Sequence, residues 1–314
     1  MEKNIFDVII IGGGPAGLSA ALYTIRKNLK TLVISKTMGG QAAQASRVEN
    51  YLGFALISGI ELAKRFHEEV HRYPQELIQV VEGVEVVGME GAFPQVTVKT
   101  GDGKAYDGQT LIIASGRVPK HLGIPGEMEF FGKGVAICAT CDAPLFKGKE
   151  VVVVGGGNSA LDAVYSLMNV ASSVTVVNVE AELRGDEVLK TQVSQGSSIK
   201  ILNNYQALEV LGEQVVTGLK VRNKIDGKER TLSAQGIFVE IGYIPSVDFD
   251  KLTKKDEVGA IVVDESGATS VSGIFAAGDV NNLWGEQMII AAGEGAKTAL
   301  TVAKFLSQNP LDKV

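Results

Sequence analysis

The chain has 314 residues, 45% of them apolar, and carries a net charge of −6. That length suits two α/β units better than one, and the acidic balance excludes the basic footprint of a nucleic-acid binder. The opening apolar run is far shorter than the roughly 20 residues of a membrane span and no export signal is evident, so with only two cysteines the expected compartment is a reducing cytoplasm.

Val8-Ile9-Ile10-Ile11 is a continuous apolar run of strand length, followed by GGGPAGLSAALYTIRK, a glycine turn and then a helix-period pattern. A second strand follows at 31–35. Residues 59–73 read as a helix, and 78–88, 95–100 and 109–114 as strands, the middle ones a β-meander turning at Gly101-Asp102-Gly103. At Val151-Val152-Val153-Val154 the same grammar returns with GGGNSALDAVYSLM and a strand at 173–177, about 143 residues after the first copy. Residues 205–241 read as a strand-rich section turning at Asp226-Gly227. A strand from Ile274 ends in Gly278 and Asp279, and a last helix spans 287–306. Continuous apolar strands mean parallel sheets buried on both faces, and the two copies do not fit one sheet. The predicted fold is therefore α/β, with two Rossmann-like dinucleotide-binding domains, each with a parallel sheet and a β-meander. The predicted domains are 1–114 with 245–314, and an inserted 115–244.

Gly12, Gly14 and Gly17 stand in GxGxxG order directly after a strand. Gly12 permits the tight turn, Gly14 lets the backbone approach a pyrophosphate, and Gly17 allows close helix–strand packing. The helix N-terminus at Pro15 and Ala16 turns its positive dipole end to phosphate. No acid closes the next strand; Ser35 and Lys36 stand there, so the ribose is held differently from the simplest fingerprint. Gly155, Gly157 and Ala160, with Asn158 and Ser159 between, repeat the pattern. Two such turns in one chain point to two cofactors that exchange electrons; the alternative is a degenerate second copy.

Cys138 and Cys141, in CATCD, are the only cysteines. Their spacing lets the sulfurs close a small disulfide, or lets one attack a substrate disulfide while the other resolves it. Asp142 is placed to handle the proton. Half a zinc site and two buried thiols are the competing readings; the three histidines are all distant in sequence. His67-Glu68-Glu69-Val70-His71 matches HExxH, but both histidines fall on the charged face of an amphipathic helix and no HxxGxxH completion follows downstream. No metal is expected.

As a set, GGGPAG at 12–17, GGQ at 39–41, VENYLG at 48–53, CATCD at 138–142, GGGNSA at 155–160, IGYIPS at 241–246 and GIFAAGD at 273–279 resemble the low-molecular-weight thioredoxin reductase family over nearly the whole chain. The resemblance implies FAD bound by Gly12, Gly14, Gly17, Gly40, Gln41, Asn50 and Asp279, with Gln287 and Met288 near the isoalloxazine. Pro15, Ala16, Ser35 and Gly278 complete the candidate FAD set. It also implies that Cys141 meets the flavin, that Cys138 attacks the partner and that Asp142 is the acid. A homodimer, an interdomain rotation and a thioredoxin- or glutaredoxin-like partner follow from the same likeness.

Two departures matter. NADPH-using members carry a basic HRRxxxR run after the second domain's second strand; here it is Asn178-Val179-Glu180-Ala181-Glu182-Leu183-Arg184. An acid there binds a ribose 2′-hydroxyl and repels a 2′-phosphate, so Glu180 joins the nicotinamide set and NADH is favoured over NADPH. The run WGEQMIIAAGEGAKTAL is also similar to the NADH-linked flavoprotein component of alkyl hydroperoxide reductase, whose extra N-terminal thioredoxin-like domain is expected here as a separate protein. The expected function is reduction of a thioredoxin- or glutaredoxin-like protein by NAD(P)H through FAD and the cysteine pair. The alternatives are a ferredoxin-dependent flavin thioredoxin reductase, a flavin-containing redox sensor and an oxidase.

Overall fold

A computed structural model describes residues 5–45, 48–196 and 198–311, and all their side chains except that of Thr140. The chain forms two compact units, Met1–Val118 with Ile244–Val314 and Pro119–Tyr243.

The first unit opens with β1 (Phe6–Gly13), α1 (Pro15–Arg26), β2 (Thr31–Met38), α2 (Gly59–His71) and β3 (Ile78–Glu82). It continues through β4 (Val86–Ala92), β5 (Gln95–Thr100) and β6 (Ala105–Ile113). Strands β1, β2 and β3 are parallel, and β6 lies parallel on the other side of β1. The meander β4-β5 joins β6 antiparallel, so the sheet runs β3-β2-β1-β6-β5-β4. The stretch expected as one strand at 78–88 is two. Gly83 takes a φ of +72° between them, a conformation open to glycine, so β3 ends the parallel side and β4 starts the meander. Both halves are apolar, and periodicity gives no sign of the break. Val8 and Ile10 pack with α1 on one face, while Ile9 and Ile11 enter a second core on the other, which accounts for the continuous apolar strand.

Both crossings between units fall within short strands, β7 (Arg117–Pro119) and, later, β16 (Tyr243–Pro245). Between them the second unit runs β8 (Val135–Ala136), α3 (Ala139–Asp142), β9 (Glu150–Val154), α4 (Asn158–Leu167), β10 (Ser173–Asn178), α5 (Glu187–Ser194) and β11 (Ile199–Asn203). It ends with β12 (Tyr205–Gly212), β13 (Val216–Asn223), β14 (Glu229–Ser233) and β15 (Gly236–Val239). A parallel sheet has the order β11-β10-β9-β15-β8, and the meander β12-β13-β14 forms a sheet of its own. Val151 and Val153 pack against α4; Val152 and Val154 share a core with Leu219 and Val221 of the meander.

The chain returns to the first unit with β17 (Ile274–Ala276), parallel to the upper part of β6, and α6 (Met288–Gln308), which packs along α1. The α/β class and the two glycine-turn sheets are as the sequence analysis expected. Among the described residues no helix is long and apolar enough to cross a membrane.

Candidate active site

The first glycine turn is shaped by close backbone approach. Gly12 has a φ of +117°, and a side-chain carbon there would lie 2.2 Å from the Ala114 carbonyl oxygen at the end of β6. One on Gly17 would lie 1.9 Å from the Gly12 carbonyl oxygen, which lets α1 start hard against the strand. Gly14 differs: its nearest neighbour would be the Gly40 Cα at 3.9 Å, so open space lies over it. It is also the N-cap of α1, and no side chain caps that helix end. The first-turn N–H groups are therefore presented, uncapped, at an open glycine cradle, and this arrangement fits a dinucleotide pyrophosphate.

Other candidate FAD residues gather in the same unit. The Gln41 amide donates to the Arg117 carbonyl oxygen at 2.7 Å. Arg117 in turn donates from Nε to the Asp279 carbonyl oxygen at 2.9 Å and pairs with Glu286 at 2.6 Å. Asn50 Nδ2 donates to Gln287 Oε1 at 3.0 Å, joining residues 237 apart in sequence. Met288 begins α6. Burial, reinforced by the nearby Glu286 charge and opposed by Arg117, pushes the Asp279 carboxyl up to about 6. The Ser35 hydroxyl is engaged within the protein, accepting from Gly13 N and donating to the Thr37 carbonyl oxygen, so it holds the turn. Arg117 and Glu294 were not singled out from sequence. Glu294 Oε2 accepts from Gly278 N at 2.9 Å and from Asn281 Nδ2 at 2.7 Å. It lies in the middle of α6, within the helix expected over 287–306.

The second turn repeats the first. Gly155 has a φ of +143°, with a side-chain carbon excluded by the Glu240 carbonyl oxygen at 2.1 Å. Gly157 is open and N-caps α4 without a side-chain cap, with Asn158, Ser159 and Ala160 in the first turn. The loop after β10 is organised by buried Asn178, whose amide donates to the carbonyl oxygens of Glu180 and Glu182 and to Asn203 Oδ1. Glu180 is exposed at its carboxylate, 3.3 Å from Arg184.

Cys138 and Cys141 are joined in a disulfide with Cα atoms 5.4 Å apart. The bonded sulfurs rule out the half-zinc reading for this state. Cys138 N-caps the short helix α3, and the Asp142 N–H donates to its carbonyl oxygen at 3.0 Å. Cys141 is exposed; Cys138 and Asp142 are half-buried.

Glu240 is a further residue that sequence reading missed. Strands β15 and β8 pair in parallel with Phe238 opposite Ala136, so the chain leaving β15 runs beside the chain entering Cys138. The buried Glu240 carboxyl accepts a hydrogen bond from the Ala139 N–H. Burial pushes its pKa up to about 8; the Ala139 N–H opposes this, and Asp162 of α4 reinforces it. The available signal was an acid closing the apolar strand Ile237-Phe238-Val239, where an ionised group is costly.

The HExxH residues lie on α2. His67 and His71 stack with ring centroids 3.9 Å apart, and His67 Nε2 lies 2.7 Å from Glu82 Oε1 at the end of β3. The sequence offered no sign of this third group.

The sequence profile for pyridine nucleotide-disulphide oxidoreductases matches residues 6–295. The chain belongs to that family. This pyridine nucleotide-disulphide oxidoreductase is 36% identical over 309 residues to the NADH dehydrogenase of Bacillus subtilis (strain 168), covering 98% of this chain and 60% of that one. It is 37% identical over 307 residues to an alkyl hydroperoxide reductase component from Pseudomonas putida, covering 97% of this chain and 59% of the relative. The chain thus spans about three fifths of the length of these curated relatives. Among solved structures, T. acidophilum thioredoxin reductase superposes with a TM-score of 0.88 at 38% identity, over 96% of this chain and 99% of that one. Lactococcus lactis thioredoxin reductase gives 0.91 at 32% identity, again over 96% and 99%. Membership implies a flavin and a nicotinamide cofactor, and the two uncapped glycine turns fit such groups.

Proposed function

We propose that the chain is a thioredoxin-reductase-like flavoprotein disulfide reductase. In this reading electrons pass from NADH to the Cys138–Cys141 pair and on to a thioredoxin- or glutaredoxin-like protein. The observation that carries it is the disulfide on α3, in the same unit as the second glycine turn. FAD, when bound, supplies a two-electron carrier between nicotinamide and disulfide. Its place is the turn at Gly12, Gly14 and Gly17, with Gly40, Gln41, Asn50, Asp279 and Gln287 as further candidates. The nicotinamide dinucleotide is assigned to Gly155, Gly157 and the first turn of α4, with Glu180 as the residue that favours NADH.

In the reduced pair, the Cys138 thiol gives up its proton and the resulting thiolate attacks the partner's disulfide, forming a mixed disulfide while the departing sulfur takes up a proton. The Cys141 thiol gives up its proton and the resulting thiolate attacks Cys138 Sγ. That step releases the second partner thiol and closes the pair. Two electrons and two protons leave the dithiol, and Asp142 is the group assigned to proton handling. A homodimer in the cytoplasm is part of the proposal.

Two measurements test it. In anaerobic titration, NADH should bleach the flavin absorbance at lower concentration than NADPH; bleaching by neither would favour the ferredoxin-dependent reading. Cys138→Ser and Cys141→Ser should each abolish reduction of a thioredoxin-like disulfide while retaining FAD. Undiminished reduction in both variants would end the mechanism.

A further inference from the structure

We infer that His67, His71 and Glu82 form a binding site for one divalent transition-metal ion of the zinc or copper type. It uses none of the residues assigned to the dinucleotide turns or to the cysteine pair, and it stands independently of the proposed reductase activity.

The geometry begins with α2, which places two imidazoles one turn apart on one face. Their rings stack at 3.9 Å with 33° between planes. Glu82 closes β3 and brings a carboxylate to the same point, 2.7 Å from His67 Nε2. One ligand atom from each of the three residues lies within 4.8 Å of the others, so a single ion can touch all three.

The tautomer of His71 is set by its surroundings. Its Nδ1 lies 3.0 Å from the His67 carbonyl oxygen. A carbonyl only accepts, so Nδ1 carries the hydrogen, and in the neutral ring Nε2 is the nitrogen that holds the lone pair. Holding a ligating histidine by its other ring nitrogen on a backbone carbonyl is the usual support for a metal-bound imidazole.

Competing charges are already matched. Lys64, Arg65 and Arg72 of α2 pair with Glu68, Glu61 and Glu69, and Lys36 pairs with Glu85, while the ion takes the place of the proton shared between His67 and Glu82. The backing is firm, with Val70, Ile78, Phe66 and Val80 packed into the core behind both elements. Two imidazoles and one carboxylate suit zinc or copper rather than magnesium or calcium, which take oxygen donors. Three protein ligands leave a fourth position for water. Glu68, the acid of HExxH, is exposed and sits 3.8 Å from Lys64, so the site is argued as a binding site and not as a peptidase centre.

The test is calorimetric titration of zinc sulfate into the full chain, FAD-loaded, stripped with a chelator and free of any affinity tag. The cysteine pair is kept oxidised so that thiolates do not compete. One zinc per chain should bind, with His71→Ala and Glu82→Gln each weakening it at least about tenfold. Both positions are exposed, so neither variant threatens the fold. Zinc should also raise the melting temperature of the native chain and not of His71→Ala, because an ion that binds only the folded state stabilises it. No saturable binding below millimolar zinc, or undiminished binding in either variant, would overturn the inference.

Discussion

At residue scale, Glu240 is a buried carboxyl that accepts from the N–H of Ala139, the residue after Cys138. Unfolded, its carboxyl ionises near 4.5; folded, burial moves this to about 8. The folded value is the higher one, so the neutral carboxyl stabilises fully below the lower value, and that stability is lost as pH rises through the window. The loss is on the order of a few kcal/mol. Glu240→Gln keeps an acceptor for the Ala139 N–H and removes the ionisation. It should melt at the native temperature at the acid end of the window and several degrees higher at the alkaline end. Equal melting temperatures at both ends would sink the idea. Cys138 and Cys141 were readable in sequence because their chemistry depends on spacing. Glu240 was not, because its importance arises from a strand register that sets it beside α3.

At the scale of elements, the loop after β17 is tied down by α6. One Glu294 oxygen accepts from both Gly278 N and Asn281 Nδ2, while Gly295 lets α6 approach α1 so closely that a side-chain carbon would meet the Ala16 carbonyl oxygen at 2.0 Å. Glu294→Ala leaves two donors unmatched and should cost about 1–3 kcal/mol in urea unfolding. It should also speed FAD release, followed by flavin fluorescence. An unchanged release rate would separate Glu294 from the cofactor site. The helix itself was legible from its apolar period. Its attachment to Asp279's loop was not, since the Glu294 bonds to Gly278 and Asn281 depend on how the helix packs and not on any local pattern.

At the scale of the whole molecule, each unit has its own cores. Every residue of the two clusters around β9 and α4 lies between Leu122 and Ile241. The second unit is also one continuous segment, whereas the first is assembled from both chain ends. Residues 119–243 expressed alone should therefore fold, melt cooperatively by circular dichroism, keep the Cys138–Cys141 disulfide and bind no FAD. A broad, non-cooperative melt would count against an independent core.

The repeated strand, glycine turn and helix were written locally. Valine and isoleucine runs demand burial on both faces, and Gly12, Gly17 and Gly155 are required because any side chain would strike a backbone oxygen. Such constraints act over a few residues, so they survive in a bare sequence. The meetings of Asn50 with Gln287, Arg117 with Asp279, and His67 with Glu82 depend on strand order and helix placement. Those contacts join segments that only folding brings together, and no periodicity along the chain encodes them. The cysteine pair lay on the legible side; the groups that hold the FAD loop, perturb Glu240 and gather a third metal ligand lay on the other.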